Sequence, residues 1–215
     1  MNFNKLSKET LNCFSDKTKS KILKHSLILF NDIGFNSVTT ANVSKECNIL
    51  EGTLWYHFNS KKNILSAHID LFKKMFLEQI KNINYDKIEN VFQTSLNIYS
   101  LIWDFQYIFR EHFESIIKDD EIQKKINEVN SFVDNFIEEL MTKSHKNFLK
   151  LKKDALNRVI DTILLIGRYW LHFSKKRYPK YNNENLRKKG INLIIESLYP
   201  FLNAEGKKKI NLISY

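Results

Sequence analysis

The amino-acid sequence predicts an all-α fold, and three observations lead to it. Only five glycines and two prolines occur among 215 residues, too few for the many tight turns of a sheet protein. Apolar residues recur at steps of three and four along most of the chain, as they do on one face of a helix. No stretch alternates apolar and polar residues with the period of a strand. A chain of this length can bury a substantial helical core.

The first long helix shows both an apolar face and end signals. Ser15 or Asp16 is placed to cap its start, and Gly34 stands just past its end. Its apolar face consists of Ile22, Leu23, Leu27, Phe30 and Ile33.

Two short helices and a longer one follow. The segment Thr39–Cys47 predicts a short helix, with Thr39 as its N-cap. Asn48 marks a sharp turn because Asn tolerates a left-handed backbone better than any residue except Gly. Glu51–Phe58 is then only about two helical turns long, and so short a helix is expected only if its outer face has a function. Ser60 caps the long helix that comes next.

The rest of the chain reads as helix after helix, with breaks near residues 118–120, around 144–147 and across 178–183. The N-terminal unit is expected to continue into the larger helical body through a shared long helix. The predicted domains are therefore residues 1–62, with an ordered core from about residue 16, and residues 63–215.

Charge and cysteine usage limit the partners. The net charge of +10 favours a polyanion, and DNA, RNA and an acidic membrane surface all fit it, although a lysine-rich genome composition explains the excess equally well. Cys13 and Cys47 suit neither a disulfide framework nor a zinc site, which predicts a reducing cytoplasm. We find no signal-peptide core and no apolar run long enough to cross a membrane, so no membrane partner is expected.

Two short helices joined by a tight turn, with an exposed second helix, form a helix-turn-helix, whose second helix can enter a DNA major groove about 12 Å wide. Residues 18–65 resemble the N-terminal domain of the TetR family of repressors without a gap. The resemblance rests on the runs Thr18-Lys19-Ser20-Lys21-Ile22-Leu23, Gly52-Thr53-Leu54-Trp55-Tyr56-His57-Phe58 and Ser60-Lys61, and on Leu65. It implies that the third helix reads the groove and that phosphates are contacted by Thr53, Trp55, His57 and Lys61.

Departures from the family pattern leave the DNA sequence open. Trp55 replaces a usual Tyr, Leu50 a usual hydroxyl cap, Asn48 a usual Gly, and Val38 a frequent Thr. Glu51 can accept from cytosine N4 or can repel non-cognate DNA. Leu54 and Phe58 are expected in the core, and Tyr56 either in the core or facing phosphate. The predicted DNA-binding set is Thr39, Thr40, Glu51, Thr53, Trp55, Tyr56, His57 and Lys61.

The second half resembles one C-terminal domain type of TetR-family repressors, over most of residues 95–205. The matching features are Trp103 with Phe109-Arg110-Glu111, the start Asp119-Asp120-Glu121, Trp170 with Phe173, and Gly190 followed by Tyr199-Pro200-Phe201-Leu202. The resemblance implies a domain that forms the dimer and encloses an effector pocket. The aromatic density of residues 95–113 fits a packed core or an apolar cavity. The predicted pocket is Trp103, Gln106, Phe109, Arg110, His112, Phe113, Phe136 and Trp170, although Arg110 with Glu111 is an equally good structural ion pair.

A helix from about residue 154 to 176 is apolar over most of its circumference, so it must be covered on two sides. With the final helix it offers two faces that a twofold mate can cover as a four-helix bundle. The predicted interface is Ile163, Ile166, Gly167, Ile194, Ile195 and Leu198.

The sequence thus predicts a homodimeric repressor of operator duplex DNA, released by a small hydrophobic or amphipathic effector. The alternative is a basic helical module that binds nucleic acid non-specifically, with the run Lys207-Lys208-Lys209 as its patch or as a solvated tail. No HExxH or CxxC spacing, nucleophile elbow or glycine-rich phosphate loop occurs, so neither catalytic nor metal-binding residues, nor a cofactor, are predicted.

Overall fold

A computed structural model describes residues 6–109 and 119–210, and every regular element within these ranges is helical. The all-α prediction is confirmed. The helices are α1 (Lys8–Asn12), α2 (Thr18–Ile33), α3 (Thr40–Cys47), α4 (Glu51–His57), α5 (Lys61–Ile80), α6 (Ile88–Asp104), α7 (Asp120–Phe148), α8 (Lys153–Arg177), α9 (Asn183–Leu198) and α10 (Ala204–Ile210), with a 3₁₀ turn at Tyr199–Phe201. One isolated antiparallel bridge joins Leu149 to Leu202.

Four predicted helix ends are confirmed, each by a local feature of the backbone. Gly34 ends α2 with a positive φ of 88°, and Asn48 ends α3 in the left-handed region at φ 54°, ψ 48°. Thr39 caps α3, since its hydroxyl oxygen accepts from the Asn42 amide at 3.1 Å. Ser60 caps α5 in the same way, accepting from the Asn63 amide at 3.1 Å.

Two helix ends differ from the prediction. Helix α2 begins at Thr18 behind Lys17, without a side-chain cap, so neither Ser15 nor Asp16 caps it; instead the Ser15 amide donates to the Ser20 hydroxyl at 2.8 Å. The expected break at residues 144–147 lies inside α7, which runs on to Phe148. It continues because Met141, Ser144 and Phe148 share one buried face of that helix.

The helices group into two units. The first comprises Met1–Phe76 and Leu101–Asn127, and the second comprises Leu77–Ser100 and Glu128–Tyr215. Helices α5, α6 and α7 each supply residues to both. Residues 63–76 and 101–109 therefore pack with the N-terminal helices, although the predicted functional border lies at residue 62.

The first unit has an aromatic core. Phe30 of α2 meets Tyr107 edge to face, with ring centroids 5.2 Å apart, and Phe72 of α5 meets Phe105 at 5.6 Å. Asn31 fixes the end of α6 against α2: its amide nitrogen donates to the Asp104 carbonyl at 2.7 Å, and its oxygen accepts from the Tyr107 amide at 3.1 Å. Part of the aromatic stretch 95–113 is thus core, one of the two predicted possibilities.

In the second unit α8 and α9 pack closely. Gly190 of α9 allows this approach, since a Cβ there would stand 2.0 Å from the Tyr99 hydroxyl and 2.4 Å from the Trp170 ring. The Trp170 indole N–H donates to the Leu186 carbonyl at 2.7 Å. A second apolar cluster contains Met141, Leu156, Val159, Ile160 and Ile163.

Candidate nucleic-acid interface

Side-chain hydrogen bonds cap the start of α3, whereas α4, which follows the turn at Asn48, has no side-chain cap. Thr39 and Asn42 form a reciprocal capping box, in which the Asn42 side-chain oxygen also accepts from the Thr39 amide at 2.9 Å. Asn48 turns the chain in the left-handed conformation, which Asn adopts with less strain than a β-branched residue would. Leu50 occupies the N-cap of α4 and makes no side-chain cap, and its own side chain is 80% exposed.

Helix α4 has one buried face and one bare face. Leu54 and Phe58 lie in the core with 0% and 4% of their surface exposed, as their four-residue spacing predicts. On the other side Tyr56 is 84% exposed and Trp55 44% exposed. Large aromatic side chains on a seven-residue helix rarely stay bare unless they contact a partner, so this face is a candidate docking surface.

The Glu51 carboxylate is held in place by the preceding helix. The Thr40 hydroxyl donates to Glu51 Oε1 at 2.7 Å, which joins the first turns of α3 and α4. Both side chains belong to the predicted DNA-binding set. A carboxylate can accept several hydrogen bonds, so Glu51 can still accept from a further donor while Thr40 donates to Oε1.

The three remaining contact candidates on α3 and α4 are spread over the motif. Thr39 is exposed, and its hydroxyl donates to the Asn42 side chain at 2.8 Å. Thr53 is half-buried in the first turn of α4. His57, also half-buried, meets the Tyr56 ring edge to face at 5.2 Å between ring centroids.

Lys61 holds the α2–α3 loop. Its ammonium donates to the carbonyls of Phe35 at 2.7 Å and Val38 at 2.8 Å, and Asn36 O lies at 3.5 Å. The same ammonium stands 4.4 Å from the centre of the Phe35 ring, and partial burial lowers its pKa. An ammonium has three N–H donors, so a phosphate contact by Lys61 must share or displace one of these carbonyls.

The span from Thr39 to Lys61 carries no net charge. It holds two lysines, Lys45 and Lys61, against two glutamates, Glu46 and Glu51. The predicted reading segment therefore attracts a polyanion only through donors and dipoles, not through excess positive charge.

A buried histidine of α5 joins that helix to α2 and to Tyr107. His68 of α5 is fully buried, and its Nε2 lies 2.9 Å from the Leu23 carbonyl of α2. Because that carbonyl only accepts, Nε2 carries the proton, and Nδ1 accepts from the Tyr107 hydroxyl at 2.8 Å. Burial lowers the pKa of His68 to about 4, so the ring is neutral at neutral pH.

The predicted pocket residues fall into three groups. Trp103 and Gln106 are buried in the first unit, where Phe109 meets Phe72 with ring centroids 5.0 Å apart. Phe136 and Trp170 are buried in the second unit. The others, Arg110, His112 and Phe113, lie outside the described residues, and the pocket stays a prediction.

An open surface pocket of about 330 Å³ lies on other residues of the second unit. Its walls are mostly apolar, with one guanidinium and two hydroxyls. They are formed by Ala155, Arg158, Val159, Thr162, Ser197 and Phe201.

The predicted dimer residues differ in exposure. Ile163 is 7% exposed and belongs to the core of the second unit, whereas the other five are half-buried: Ile166, Gly167, Ile194, Ile195 and Leu198. Beside them α8 carries a stripe at four-residue steps that the sequence analysis did not name. Leu165, Tyr169 and Phe173 are 58%, 51% and 53% exposed.

Sequence reasoning also missed the Thr40–Glu51 hydrogen bond and the carbonyl contacts of Lys61, because both join residues far apart in the chain. Within the described ranges no group of three or more His, Cys, Asp or Glu residues can hold a metal ion. Nor is any described helix long and apolar enough to span a membrane. Neither Cys13 nor Cys47 forms a disulfide in the described part of the chain.

Fold and site together define a helix-turn-helix DNA-binding regulator. Residues 22–68 match the model for bacterial regulatory proteins of the tetR family, and residues 71–210 match the TetR model of bacterial transcriptional repressors. The chain belongs to the TetR family of bacterial transcriptional repressors, a family of DNA-binding proteins and not of enzymes.

Two curated relatives match the chain in part. IcaR of Staphylococcus aureus (strain Newman), a negative transcriptional regulator of the biofilm operon icaADBC, is 29% identical over 98 residues, 45% of this chain and 46% of the relative. YerO of Bacillus subtilis (strain 168), an uncharacterized HTH-type transcriptional regulator, is 32% identical over 71 residues, 33% of this chain and 25% of the relative. The chain thus spans less than half the length of each.

Solved structures share the fold. A TetR-family regulator from Marinobacter aquaeolei VT8 has a TM-score of 0.73 at 20% identity, covering 92% of this chain and 97% of that one. AibR in complex with isovaleryl coenzyme A and operator DNA has a TM-score of 0.59 at 16% identity, covering 83% and 98%.

Proposed function

We propose that the chain is a homodimeric repressor that binds an inverted repeat in duplex DNA and leaves it when a small hydrophobic or amphipathic molecule binds. Residues 1–62 are the DNA-binding part, and residues 63–215 carry effector binding and dimerisation. The observation that carries the proposal is the bare face of α4, where Tyr56 is 84% exposed beside Trp55.

The size and support of α4 suit a major groove. An α-helix with its side chains is about 10–12 Å in diameter, which fits a major groove about 12 Å wide, and the seven residues of α4 extend for roughly 10 Å at about 1.5 Å per residue. So short a helix has little stability by itself. Here buried Leu54 and Phe58 hold it against the other helices, and its polar groups remain available to phosphates and base edges.

Glu51 is proposed as a base-reading residue. Thr40 occupies Oε1, so Oε2 is the oxygen available to accept from a cytosine N4 amino group. The Thr40 contact lowers the conformational freedom that Glu51 must lose on binding. A carboxylate at this place also repels the phosphates of a wrongly docked duplex.

Dimerisation supplies the second recognition helix that a palindromic DNA site requires. We propose that a mate covers the predicted interface together with the exposed stripe Leu165, Tyr169 and Phe173. These side chains are large and apolar, and a bare row of them on α8 is costly in water. A twofold partner helix would cover the stripe twice, once from each protomer.

The effector proposal rests on two places in the chain. One is the predicted aromatic pocket, and the other is the open 330 Å³ surface pocket, whose volume lies at the lower end of the range of ligand sites. Arg158 in the pocket wall offers a charged partner to a carboxylate, and Val159 and Phe201 offer apolar contact. AibR was solved with isovaleryl coenzyme A and with operator DNA, so a protein of this fold can hold both kinds of molecule.

A gel-shift competition tests the DNA proposal. The labelled fragment is the region upstream of the protein's own gene, and the competitors are the same fragment unlabelled and a random duplex. Tyr56→Ala should lower affinity for the fragment at least tenfold. The control Leu77→Ala, which trims another exposed apolar side chain, should keep wild-type affinity.

If random duplex competes as well as the fragment, the chain is a basic module without sequence choice and the repressor proposal fails. Equal affinity of Tyr56→Ala and wild type would remove α4 as the reading helix.

Base reading is tested separately by selection of binding sites from a random library. Glu51→Gln keeps the size of the side chain but adds an amide donor, so it should change the preferred base at one position of each half-site. Thr40→Val should weaken that same preference without replacing it. A uniform affinity loss, with the preferred sequence unchanged, would show that Glu51 reads no base.

A further inference from the structure

Leu50, the residue directly before α4, is a leucine that neither caps its helix nor fills the core. Its side chain is 80% exposed, more than any other large aliphatic side chain in the described ranges, where Leu165 follows at 58%. An N-cap is best filled by Ser, Thr, Asn or Asp, whose side-chain oxygen accepts from an amide of the first turn, and Leu50 makes no such hydrogen bond. A leucine this exposed also gains little from apolar burial. The stability of the folded chain therefore does not explain a leucine at this position.

The backbone of Leu50 is fixed although its side chain is bare. Its carbonyl accepts from the Thr53 amide at 3.0 Å and from the Leu54 amide at 3.3 Å, which joins it to the first turn of α4. Just before it, the Ile49 amide donates to the Ser44 carbonyl at 3.0 Å and closes the end of α3. Because Leu50 projects from ordered backbone, a partner can bind its side chain without first ordering a loop, which keeps the entropic cost of binding low.

The place of Leu50 in the motif indicates which partner it meets. In a helix-turn-helix, residues at the beginning of the recognition helix contact base edges in the major groove. Leu50 directly precedes that helix and is followed by Glu51 and Gly52, which are both exposed. Gly52 adds no side chain to this surface, and a Cβ there would meet nothing within 4 Å, so another molecule can approach closely. In a family of DNA-binding repressors that molecule is duplex DNA.

The chemistry of the side chain indicates which base it contacts. Leucine has no donor, acceptor or charge, so it can bind neither a phosphate nor the polar edge of a base. Of the four bases, only thymine presents a methyl group in the major groove. Trp55 and Tyr56 of α4 are exposed as well, but each has an N–H or O–H group that can donate to a phosphate. Leu50 is therefore the side chain of this surface whose chemistry matches only the thymine methyl.

The spacing of the backbone relates this thymine to the base assigned to Glu51. Consecutive Cα atoms are about 3.8 Å apart, close to the distance of about 3.4 Å between successive base pairs. Adjacent side chains at the start of α4 thus reach adjacent base pairs. With Glu51 accepting from a cytosine N4 amino group, Leu50 contacts a T·A pair next to that C·G pair.

We propose that Leu50 is a specificity-determining residue, which contacts the C5-methyl group of one thymine in each half-site of the operator. The inference rests on the proposed function, since it requires α4 to lie in a major groove. It explains why a capping side chain is absent at the start of α4: a hydroxyl there would stabilise the helix but could not make an apolar contact with a base.

The test removes the methyl group from the DNA and the leucine from the protein. A duplex with the preferred sequence of the full chain is first selected from a random library. Each thymine is then replaced in turn, in both half-sites, by uracil, which pairs with adenine in the same way but lacks the methyl group. Fluorescence anisotropy gives the affinities of wild type, Leu50→Ser, Leu50→Ala and the control Leu77→Ser, which changes an exposed leucine of α5.

For wild type, uracil at one position of each half-site should lower affinity about fourfold per half-site, or roughly fifteenfold in total, as expected for one buried methyl group at each contact. That position should lie next to the base whose preference changes in Glu51→Gln. Leu50→Ser should bind the thymine and uracil duplexes equally well, Leu50→Ala should show a smaller difference than wild type, and Leu77→Ser should keep the wild-type ratio.

Thermal unfolding separates this role from a structural one. Serine can cap α4, so Leu50→Ser should unfold at a temperature no lower than wild type while it loses discrimination between thymine and uracil. A clearly lower unfolding temperature would overturn the inference, because the leucine would then be needed by the fold.

Two binding results would also overturn the inference. One is a wild-type affinity that uracil leaves unchanged at every thymine, which would mean that no methyl group is contacted. The other is a wild-type ratio in Leu50→Ser, because another side chain would then make the contact. Failure of the proposed function looks different: the selection would yield no preferred sequence, and random duplex would bind as well as any selected one.

Discussion

The buried histidine gives the sharpest test of the structure, because its protonation should cost stability over a defined pH range. His68 of α5 is fully buried against α2 and Tyr107, and burial lowers its pKa from 6.5 to about 4. In the unfolded chain the imidazole regains its ordinary pKa. Between pH 6.5 and pH 4 the unfolded state therefore binds a proton that the folded state does not.

The sign of the effect follows from linkage. A state that binds more protons is favoured as pH falls, so the free energy of unfolding should decrease from pH 6.5 towards pH 4. One pKa unit corresponds to about 1.4 kcal/mol, so the full shift amounts to about 3 kcal/mol, of which about 2 kcal/mol is lost by pH 5.

The assay compares wild type with His68→Gln by urea unfolding, followed by circular dichroism at pH 7 and pH 5. Glutamine can donate to the Leu23 carbonyl and accept from the Tyr107 hydroxyl as His68 does, but it does not titrate. Wild type should lose about 2 kcal/mol more than the variant between the two pH values. His172→Gln, at an exposed site, should behave as wild type.

Parallel pH dependence in wild type and His68→Gln would refute the reasoning. It would mean either that His68 is hydrated or that its contacts with Leu23 and Tyr107 do not hold in solution. The comparison is insensitive to the carboxylates that titrate over the same range, since both proteins contain them.

Four further substitutions test other parts of the structure by thermal unfolding or by mass. Gly190→Ala should destabilise by about 3 kcal/mol or more, since its Cβ would stand 2.0 Å from the Tyr99 hydroxyl, whereas Gly52→Ala meets nothing within 4 Å and should be neutral or stabilising by up to about 1 kcal/mol in the absence of DNA; equal effects would contradict the α8–α9 packing. Asn31→Ala removes two buried hydrogen bonds and should cost about 2 to 4 kcal/mol, and a loss below about 0.5 kcal/mol would contradict them. Leu165→Glu should convert the dimer to monomer in light scattering without changing helix content, because its side chain is 58% exposed in the single chain; an unchanged mass would place the interface elsewhere.

Local signals in the sequence predicted local structure well. Gly34, Thr39, Asn48 and Ser60 mark helix ends because each acts through its own backbone or the amides of the next turn. The break expected around residues 144–147 comes slightly later, between Phe148 and Lys153, for the opposite reason. Polar residues there suggested a loop, but a buried face shared with distant parts of the chain keeps the helix intact.

In the candidate site, too, the sequence predicted local features but not contacts between distant residues. The spacing of Leu54 and Phe58 revealed which side of α4 is buried, and so which side is bare. The spacing could not show that the Thr40 hydroxyl donates to Glu51 or that the Lys61 ammonium donates to loop carbonyls. Those contacts depend on how the loops fold back, whereas the resemblance to the TetR family implied only that Lys61 contacts a phosphate.

The aromatic packing behind the helix-turn-helix also limits how this protein can be rebuilt. A DNA-binding head cut at residue 62 would lose Tyr107 from the face of Phe30 and both backbone partners of Asn31. The head is therefore not a detachable module. A chimaera intended to transfer its DNA preference to another sensor domain has to carry residues 63–76 and 101–109 with it, or rebuild that core in the new host.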